Sequence, residues 1–445
     1  MLRPGERPLG SVAVRGRLAP LAVWPFSRLL SSYTLNELGD SVGVVALAIL
    51  VYDRTHAVPA TAAFFLVAKF LPALIAPAVT ARLDQVTLRR SLPGIYVAEA
   101  LVFAALALIA DGRFLLVLVL ALGLVDGTLA ITGRGLTRGA VGAVLGPREM
   151  LKEGNALMNM GFAISSVGGS ALAGLLVAEF GLSTALLVDA ASFLAIAVVL
   201  GSTSGLPRLE DEGEREPWRE RLGAGLRFAR TNAVVRVLLA GQAVGLVLFT
   251  LVIPIEVVYA KRSLGTTDTG FGILLASWGA GIVIGSLVYL VVKQRSVVAL
   301  ILLSTTAIGI GYLGMAAAGT LLVACLFSVL GGLGNGIQWI AVMTALQENT
   351  PRAFQARVTG LLESLAAAMP GLGYLLGGVL ASIGSPRTAY AAAGIGVLVL
   401  VAASGVVRRH LVTAPPRPVE RPAGPAERPL PDALSAAPTF EHERG

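Results

Sequence analysis

Apolar residues occupy the chain in long runs that are separated by short polar connections. Twelve of these runs are close to the roughly 20 residues that an α-helix needs to cross the hydrocarbon core of a bilayer. They predict transmembrane helices, numbered 1 to 12, at about 26–52, 60–82, 92–110, 114–134, 155–178, 184–201, 234–259, 270–292, 297–317, 321–345, 357–380 and 388–407. The pattern therefore predicts an all-α polytopic membrane protein.

Two longer polar stretches divide the predicted helices into groups. The expected parts are a cytoplasmic N-terminal segment, a six-helix bundle, a cytoplasmic linker, a second six-helix bundle and a cytoplasmic tail, at 1–25, 26–201, 202–233, 234–407 and 408–445. The linker begins with acidic residues and then alternates arginines with apolar residues, which predicts an amphipathic helix lying on the membrane surface. The tail is rich in Pro and Ala and is expected to be disordered.

The distribution of Lys and Arg gives the expected orientation in the membrane. With the N-terminus inside, 29 of the 35 basic residues fall on the cytoplasmic side, 5 fall outside, and only Lys69 lies within a predicted span. Cytoplasmic loops of membrane proteins carry this excess of positive charge. Both termini are therefore expected in the cytoplasm, with the protein in the plasma (bacterial inner) membrane. The net charge of +8 follows from topology, and no nucleic-acid partner is expected.

The two halves of the chain repeat one another. Pro147-Arg148 precedes helix 5 and Pro351-Arg352 precedes helix 11, 204 residues later. Gly174 and Gly377 stand near the ends of the same two helices, 203 residues apart. A repeat of this period predicts two six-helix bundles in parallel orientation, with a substrate site near the midplane between them.

Composition excludes several other classes of protein. Hydrophobic residues make up 55% of the chain and charged residues 14%, far below the charge of a soluble domain. The single cysteine, Cys325, rules out a disulfide within the chain and a zinc cluster. All three histidines lie outside the apolar runs, which excludes a histidine relay in the membrane. We find no metalloprotease, serine-hydrolase or P-loop motif, so we expect no enzyme, cofactor or metal site. The arginine-rich start predicts no cleavable signal peptide.

Polar residues in the middle of helix 1 are the first candidate functional site. Asn36, Glu37 and Asp40 lie there, and Asn36 and Asp40 share a helical face. A carboxylate at this depth costs several kcal/mol, so it faces a cavity or a partner and not lipid. Because burial disfavours the charged form, such a group can take up and release a proton. The alternative is a polar cluster that only joins helices.

Four more ionisable residues fall within predicted helices. They are Lys69 in helix 2, Glu99 in helix 3, Asp126 in helix 4 and Asp189 in helix 6. Lys69 and Glu99 lie at similar depth on consecutive antiparallel helices. We expect them to form a structural ion pair, because an unpaired charge at that depth is costly.

The second half carries amide and aromatic residues instead of this set of charges. Gln242 lies in helix 7, and Asn335, Gln338 and Trp339 lie in helix 10. Asn335 and Gln338 are three residues apart and share a face, so they can hydrogen-bond a substrate. Hydrogen bonding between helices is the alternative. Glu256 stands near the end of helix 7.

Several sequence motifs carry a resemblance to a known family. Pro77 to Arg90 looks like a G-x-L-A-D-R-x-x-R-R motif, with Asp84, Arg89 and Arg90 at the matching places. Thr80 stands where the motif has Gly. Pro147 to Asn159 looks like P-x-E-x-L-x-x-A-N-A-L, and Gly169 to Gly174 resembles G-P-x-x-x-G with Ser170 in place of Pro. These motifs resemble the major facilitator superfamily, within it the drug-antiporter branch that includes macrolide efflux proteins and the enterobactin exporter.

The resemblance covers nearly all of residues 26–407 and implies a fold and a mechanism. In this superfamily helices 1, 4, 7 and 10 line the cavity, so Asp40 and Asp126 should face each other and titrate as a pair. Asn159 is a further candidate for this cavity. The loop after helix 2 is expected to act as a cytoplasmic gate through Asp84, Arg89 and Arg90, with Glu363 as its partner.

The expected function is secondary active transport by alternating access. The interpretation is proton-coupled efflux, by antiport, of amphipathic or hydrophobic small molecules such as drugs or natural products, with a monomer as the expected state. A siderophore exporter or a lysophospholipid flippase on the same fold stays open as an alternative. So does a transport-inactive membrane sensor.

Overall fold

The structure is a computed structural model that describes residues 18–83, 88–203, 206, 218–292 and 294–413. Every regular element in these ranges is helical, and twelve helices are long and apolar enough to cross a membrane, as predicted. Helices 1 to 6 are Trp24–Thr55, Val58–Leu83, Leu88–Asp111, Leu116–Leu145, Leu151–Phe180 and Leu182–Gly201. Helices 7 to 12 are Ala233–Ser263, Asp268–Val292, Val297–Ala317, Leu321–Glu348, Arg352–Ile383 and Pro386–Thr413.

Helix 4 is longer than the sequence predicts. The expected end near residue 134 is wrong, because the helix continues to Leu145 before a short turn at Gly146–Arg148. No proline occurs in this helix before Pro147, and isolated glycines weaken a helix without ending it. Arg134 therefore lies within a spanning helix and not in a loop. The expectation that Lys69 is the only basic residue within a span is also wrong.

The linker contains the predicted helix, at Trp218–Thr231. Its end packs on the second half of the chain, where Ala229 is buried with Val235 and Val358. The ring of Phe228 stacks on that of Phe354 with centroids 4.8 Å apart. At this end the apolar face of the linker helix is thus covered by protein.

Helix 2 changes its winding around Lys69. Leu66–Phe70 forms a π-helical turn, in which the Leu71 N–H donates to the carbonyl of Leu66, five residues earlier. Pro72 follows directly and has no N–H for the Ala68 carbonyl that would normally accept its bond. Single π-helical turns of this kind are frequent at functional sites.

Helix 7 is interrupted near its end. The regular helix stops at Thr250, and Pro254 then stands in a 3₁₀ turn, Ile253–Ile255. Glu256 begins the next helical turn, after which Tyr259–Ser263 forms a π-helical turn. Because proline removes one backbone donor, the break places Glu256 at a discontinuity of the helix.

Charged residues join the two halves at one end of the helix bundle. Lys261 Nζ of helix 7 lies 2.5 Å from Asp53 Oδ1 of helix 1 and 2.7 Å from Asp268 Oδ1 of helix 8. Arg262 donates to the carbonyl of His56, 2.6 Å away. We call this the Lys261 end of the bundle.

Glycines bring helices of the two halves into close contact near the same end. A Cβ added to Gly174 of helix 5 would lie 3.0 Å from the Cα of Gly272 of helix 8. A Cβ added to Gly378 of helix 11 would lie 2.5 Å from the Cβ of Ala62 in helix 2. Small residues permit this backbone approach. The contacts and the Lys261 ion pairs together close the Lys261 end.

Substitution Gly174→Ala tests the close approach of helices 5 and 8. The new methyl would lie 2.6 Å from the Asp268 carbonyl oxygen, a backbone atom that cannot turn away. We expect a destabilisation of about 1–3 kcal/mol, the usual range for overpacking. The measurement is the melting temperature of the purified protein in detergent.

The control for that experiment is Gly360→Ala in helix 11. Nothing lies within 4 Å of the position that its new methyl group would take, so the substitution should be neutral or slightly stabilising. Equal melting temperatures for the two variants would contradict the tight packing at Gly174.

Candidate functional site

Five carboxyl groups share the interior of the first six helices. They are Glu37 and Asp40 of helix 1, Glu99 of helix 3, Asp126 of helix 4 and Asp189 of helix 6. All are buried except Asp40, which is half-buried. The charge of Asp40 interacts with each of the other four. We call the five residues the carboxyl cluster, and Asp40 is its centre.

The charges of three basic side chains act on the carboxyl cluster, those of Arg134, Lys69 and the exposed Arg138. Arg134 Nη1 lies 3.7 Å from Glu37 Oε2, and its charge also acts on Asp40. The ammonium of Lys69 acts on Asp126 and Glu37 from the π-helical turn of helix 2. Several carboxyl oxygens nevertheless have no hydrogen-bond partner in the described part of the chain, both oxygens of Glu99 among them. Carboxyl groups thus outnumber the basic groups that face them.

A groove on helix 1 holds Asp189. Gly39 and Gly43 are one turn apart, and a Cβ at Gly43 would lie 2.6 Å from Asp189 Oδ2. Ser192 donates to Asp189 Oδ1 at 3.3 Å. The two glycines therefore let a carboxyl group from helix 6 enter the first helix's polar face.

The amide residues of the second half form a contact of their own. Gln338 Nε2 of helix 10 donates to Gln242 Oε1 of helix 7 at 2.9 Å. This pair joins the two helices, which is the alternative raised from the sequence. Asn335 is half-buried, Trp339 is 39% exposed, and Asn159 of helix 5 is exposed.

Comparison with known proteins identifies the family. The model of the transmembrane secretion effector family, MFS_3, matches residues 15–419. The chain belongs to this family. The multidrug efflux pump Tap of Mycobacterium tuberculosis is 28% identical over 430 residues, which cover 91% of this chain and 98% of Tap. The enterobactin exporter EntS of Escherichia coli is 28% identical over 308 residues, which cover 66% of this chain and 71% of EntS.

Solved structures show the same fold at low sequence identity. A mutant of the nucleoside transporter NupG superposes with a TM-score of 0.71 at 12% identity, covering 86% of this chain and 99% of NupG. A bacterial homologue of the human lysosomal transporter Spinster, inward-facing and occupied, gives 0.66 at 15% identity, covering 91% and 98%. The chain is thus a multi-pass membrane transporter of the major facilitator type, and its relatives and fold are those of transporters.

The structure of this MFS_3 transporter does not contain the ion pair predicted for Lys69 and Glu99. Both oxygens of Glu99 are buried without a hydrogen-bond partner among the described residues, and Lys69 acts on Asp126 and Glu37 instead. The physical reason is the packing order. Helix 2 packs on helix 4, whereas helix 3 packs on helices 4 and 6. Lys69 and Glu99 therefore do not meet, although the sequence places them at a similar depth in the membrane.

Sequence reasoning missed Arg134 as a member of the site of this transporter. It lies two helical turns after Asp126 on the same helix, so it reaches the same side of the bundle. The absence of a helix-stopping proline before Pro147 was the available signal.

The predicted gating loop is only partly described. Asp84 lies outside the described residues, and Arg89, Arg90 and Glu363 are exposed. The gate of this MFS_3 transporter therefore stays a prediction.

Removal of Arg134 should weaken the fold of the transporter. Arg134→Gln leaves Glu37 buried without its ion pair, and we expect a loss of about 1 kcal/mol, because the Arg134 side chain is one-third exposed. The double variant Glu37→Gln/Arg134→Gln should recover part of that loss. Melting temperatures of the wild type, both single variants and the double variant measure it. Additive losses in the double variant would show that the two residues are not coupled.

Proposed function

We propose that this transporter exports amphipathic or hydrophobic small molecules in exchange for protons. The observation that carries the proposal is the carboxyl cluster around Asp40, in which five acidic groups meet the charges of Lys69 and Arg134. Neighbouring carboxyl groups in a low-dielectric interior share protons and titrate together. Such a cluster is suited to bind and release protons during transport.

The relatives support the direction of transport and the kind of substrate. One is a multidrug efflux pump that matches over nearly its whole length, and the other is an enterobactin exporter that matches over 71% of its length. Siderophore export is therefore the second candidate. The excess of carboxyl groups favours a neutral or cationic substrate over an anionic one, because like charges repel in a desolvated site.

The distribution of basic residues supports an orientation for the bundle. Because most of the basic residues lie toward the opposite end, the Lys261 end is the outer one and both termini are cytoplasmic. The closed Lys261 end then belongs to the state that is sealed toward the outside. Transport requires that the bundles at 26–201 and 234–407 separate at this end, which breaks the ion pair between Lys261 and Asp53 and parts Gly174 from Gly272.

The proton changes the electrostatics of the cluster in a simple way. Each proton bound at Asp40 or Asp126 removes one negative charge from a site that is short of positive charge. Arg134 and Lys69 are then held less strongly, since the ionised carboxyl groups attract them. Helices 1, 2 and 4 carry Asp40, Asp126 and the two cations. The binding of protons in one step and of substrate in the next is thereby coupled to the arrangement of these helices.

Transport of ethidium into proteoliposomes tests proton exchange. With the lumen acidic and the membrane potential clamped by valinomycin and potassium, wild type should accumulate the dye, and collapse of the pH gradient should stop it. Asp40→Asn should reduce the gradient-driven rate by about tenfold or more, as expected for a residue required for coupling. Asp126→Asn should reduce it in the same direction.

The matched control for that experiment is Asp111→Asn, which changes an exposed aspartate at the end of helix 3. It should transport like the wild type. Unchanged wild-type transport after collapse of the gradient would refute proton coupling.

Substitution Lys261→Met should loosen the Lys261 end. It removes the cation that pairs with Asp268 of its own bundle and with Asp53 of the other bundle, so the sealed arrangement loses the ion pair that joins the two bundles. The labelling background carries Cys325→Ser, which removes the native cysteine, and Ser170→Cys, which introduces a thiol on helix 5. A membrane-impermeant maleimide added from outside should react with this thiol several-fold faster when Lys261→Met is also present than when Lys261 is kept. Arg113→Met changes an exposed basic residue on the same side and should leave the rate unchanged. Equal rates for both variants would contradict a closing role for Lys261.

A further inference from the structure

A second polar site lies mainly within the last six helices, apart from the carboxyl cluster. A cavity of about 220 Å³ opens between helix 5 and helices 7, 8, 9, 10 and 12. Its aromatic wall consists of Phe249, Trp278, Tyr312 and Tyr390. The rings of Trp278 and Tyr312 are stacked, with centroids 5.3 Å apart and planes inclined by 12°.

Glu256 brings a carboxyl group into this aromatic cavity. It is the one acidic residue among those lining the cavity, and the break of helix 7 at Pro254 places it there. Its charge acts on Tyr312 and Tyr390. No hydrogen bond or ion pair joins it to any side chain that the structure describes. A carboxyl group that lies within a membrane-spanning segment without a partner normally belongs to a substrate or ion pathway or to a binding site.

Two buried hydrogen-bonding groups of the same cavity also have no partner within the described ranges. They are the indole N–H of Trp278 and the hydroxyl of Tyr390, whereas the Tyr312 hydroxyl donates to the Phe249 carbonyl at 3.4 Å. Buried polar groups in proteins are satisfied in the great majority of cases. An unpartnered carboxyl group, an N–H donor and a hydroxyl that surround one aromatic cavity therefore indicate a polar ligand.

We propose that this cavity binds the cationic head group of an amphipathic amine. The ammonium lies against Glu256 and the faces of the aromatic rings, which attract cations, while an oxygen acceptor of the ligand receives the Trp278 N–H. The cavity is smaller than the roughly 300–1,000 Å³ of sites that enclose a whole drug-sized molecule. It therefore holds a head group, and the apolar remainder extends out of the cavity.

This inference rests on the proposed export of amphipathic molecules and narrows its substrate class. It also separates two tasks within the molecule. The carboxyl cluster around Asp40 handles protons in the first six helices, and Glu256 recognises the substrate cation mainly within the last six. Substrate charge and protons then act on different residues.

Calorimetric titration of the full-length protein in nanodiscs tests the site without a proton gradient. The probe is tyramine, which combines one ring, an ammonium and a phenolic oxygen, and the neutral comparison is 4-ethylphenol, which lacks the ammonium. Wild type should bind tyramine, and Glu256→Gln should raise the dissociation constant by about tenfold or more. Trp278→Phe keeps a ring and removes the N–H, and should also weaken tyramine binding. Binding of 4-ethylphenol should change little in Glu256→Gln.

The matched control is Glu179→Gln, the same substitution at an exposed position of helix 5. It should bind tyramine like the wild type. Failure of wild type to bind tyramine, or equal affinity of wild type and Glu256→Gln, overturns the site. Should Glu256→Gln not fold, a wild-type preference for tyramine over 4-ethylphenol that Trp278→Phe reduces supports the site, and no preference overturns it.

The outcome is distinguishable from that of the proposed proton exchange. Binding that depends on Glu256, together with ethidium transport that ignores the pH gradient, keeps the cation site and rejects the exchange. Transport that depends on the pH gradient, together with tyramine binding that is equal in wild type and Glu256→Gln, keeps the proton exchange and rejects the cation site.

Discussion

Burial of charge inside the first six helices constrains the rest of this transporter. Removing an ionised carboxyl group from water costs several kcal/mol unless a counter-charge or hydrogen bonds replace the water. The carboxyl cluster places five carboxyl groups inside the bundle, four of them buried, and the charges of Arg134 and Lys69 act on it. The arrangement of helices 1, 2 and 4 must therefore keep these cations in place.

Two irregular helices, helix 2 and helix 7, carry an ionisable side chain at the point where their regular winding is interrupted. The π-helical turn before Pro72 carries Lys69, and the break at Pro254 precedes Glu256. In both helices a missing proline N–H interrupts the backbone ladder, and the interruption coincides with a half-buried ionisable side chain. Backbone irregularity at membrane depth is tolerated where it lies within protein or lines a cavity. The position of each proline in the sequence is thus linked to the position of an ionisable side chain, Lys69 for Pro72 and Glu256 for Pro254.

The parts of this architecture that sequence predicts are those set by local composition. Twelve spans follow from hydropathy, and the polar face of helix 1 follows from Asn36, Glu37 and Asp40 standing within an apolar run. The parts that it misses depend on which helices become neighbours. Glu99 does not pair with Lys69, because helix 3 packs on helices 4 and 6 and not on helix 2. The hydrogen bond between Gln242 and Gln338 joins residues that are 96 positions apart in the sequence. The cavity at Glu256 needs six helices at once, which no local pattern encodes.

Proton release on substrate binding tests the central claim most directly. Purified protein in weakly buffered detergent, with a pH indicator, receives ethidium in the absence of any membrane or gradient. If the carboxyl cluster exchanges protons for substrate, the wild type releases protons into the solution, and Asp40→Asn releases fewer at the same degree of ethidium binding. Ethidium binding without proton release from the wild type, or equal release from both proteins, would contradict the account.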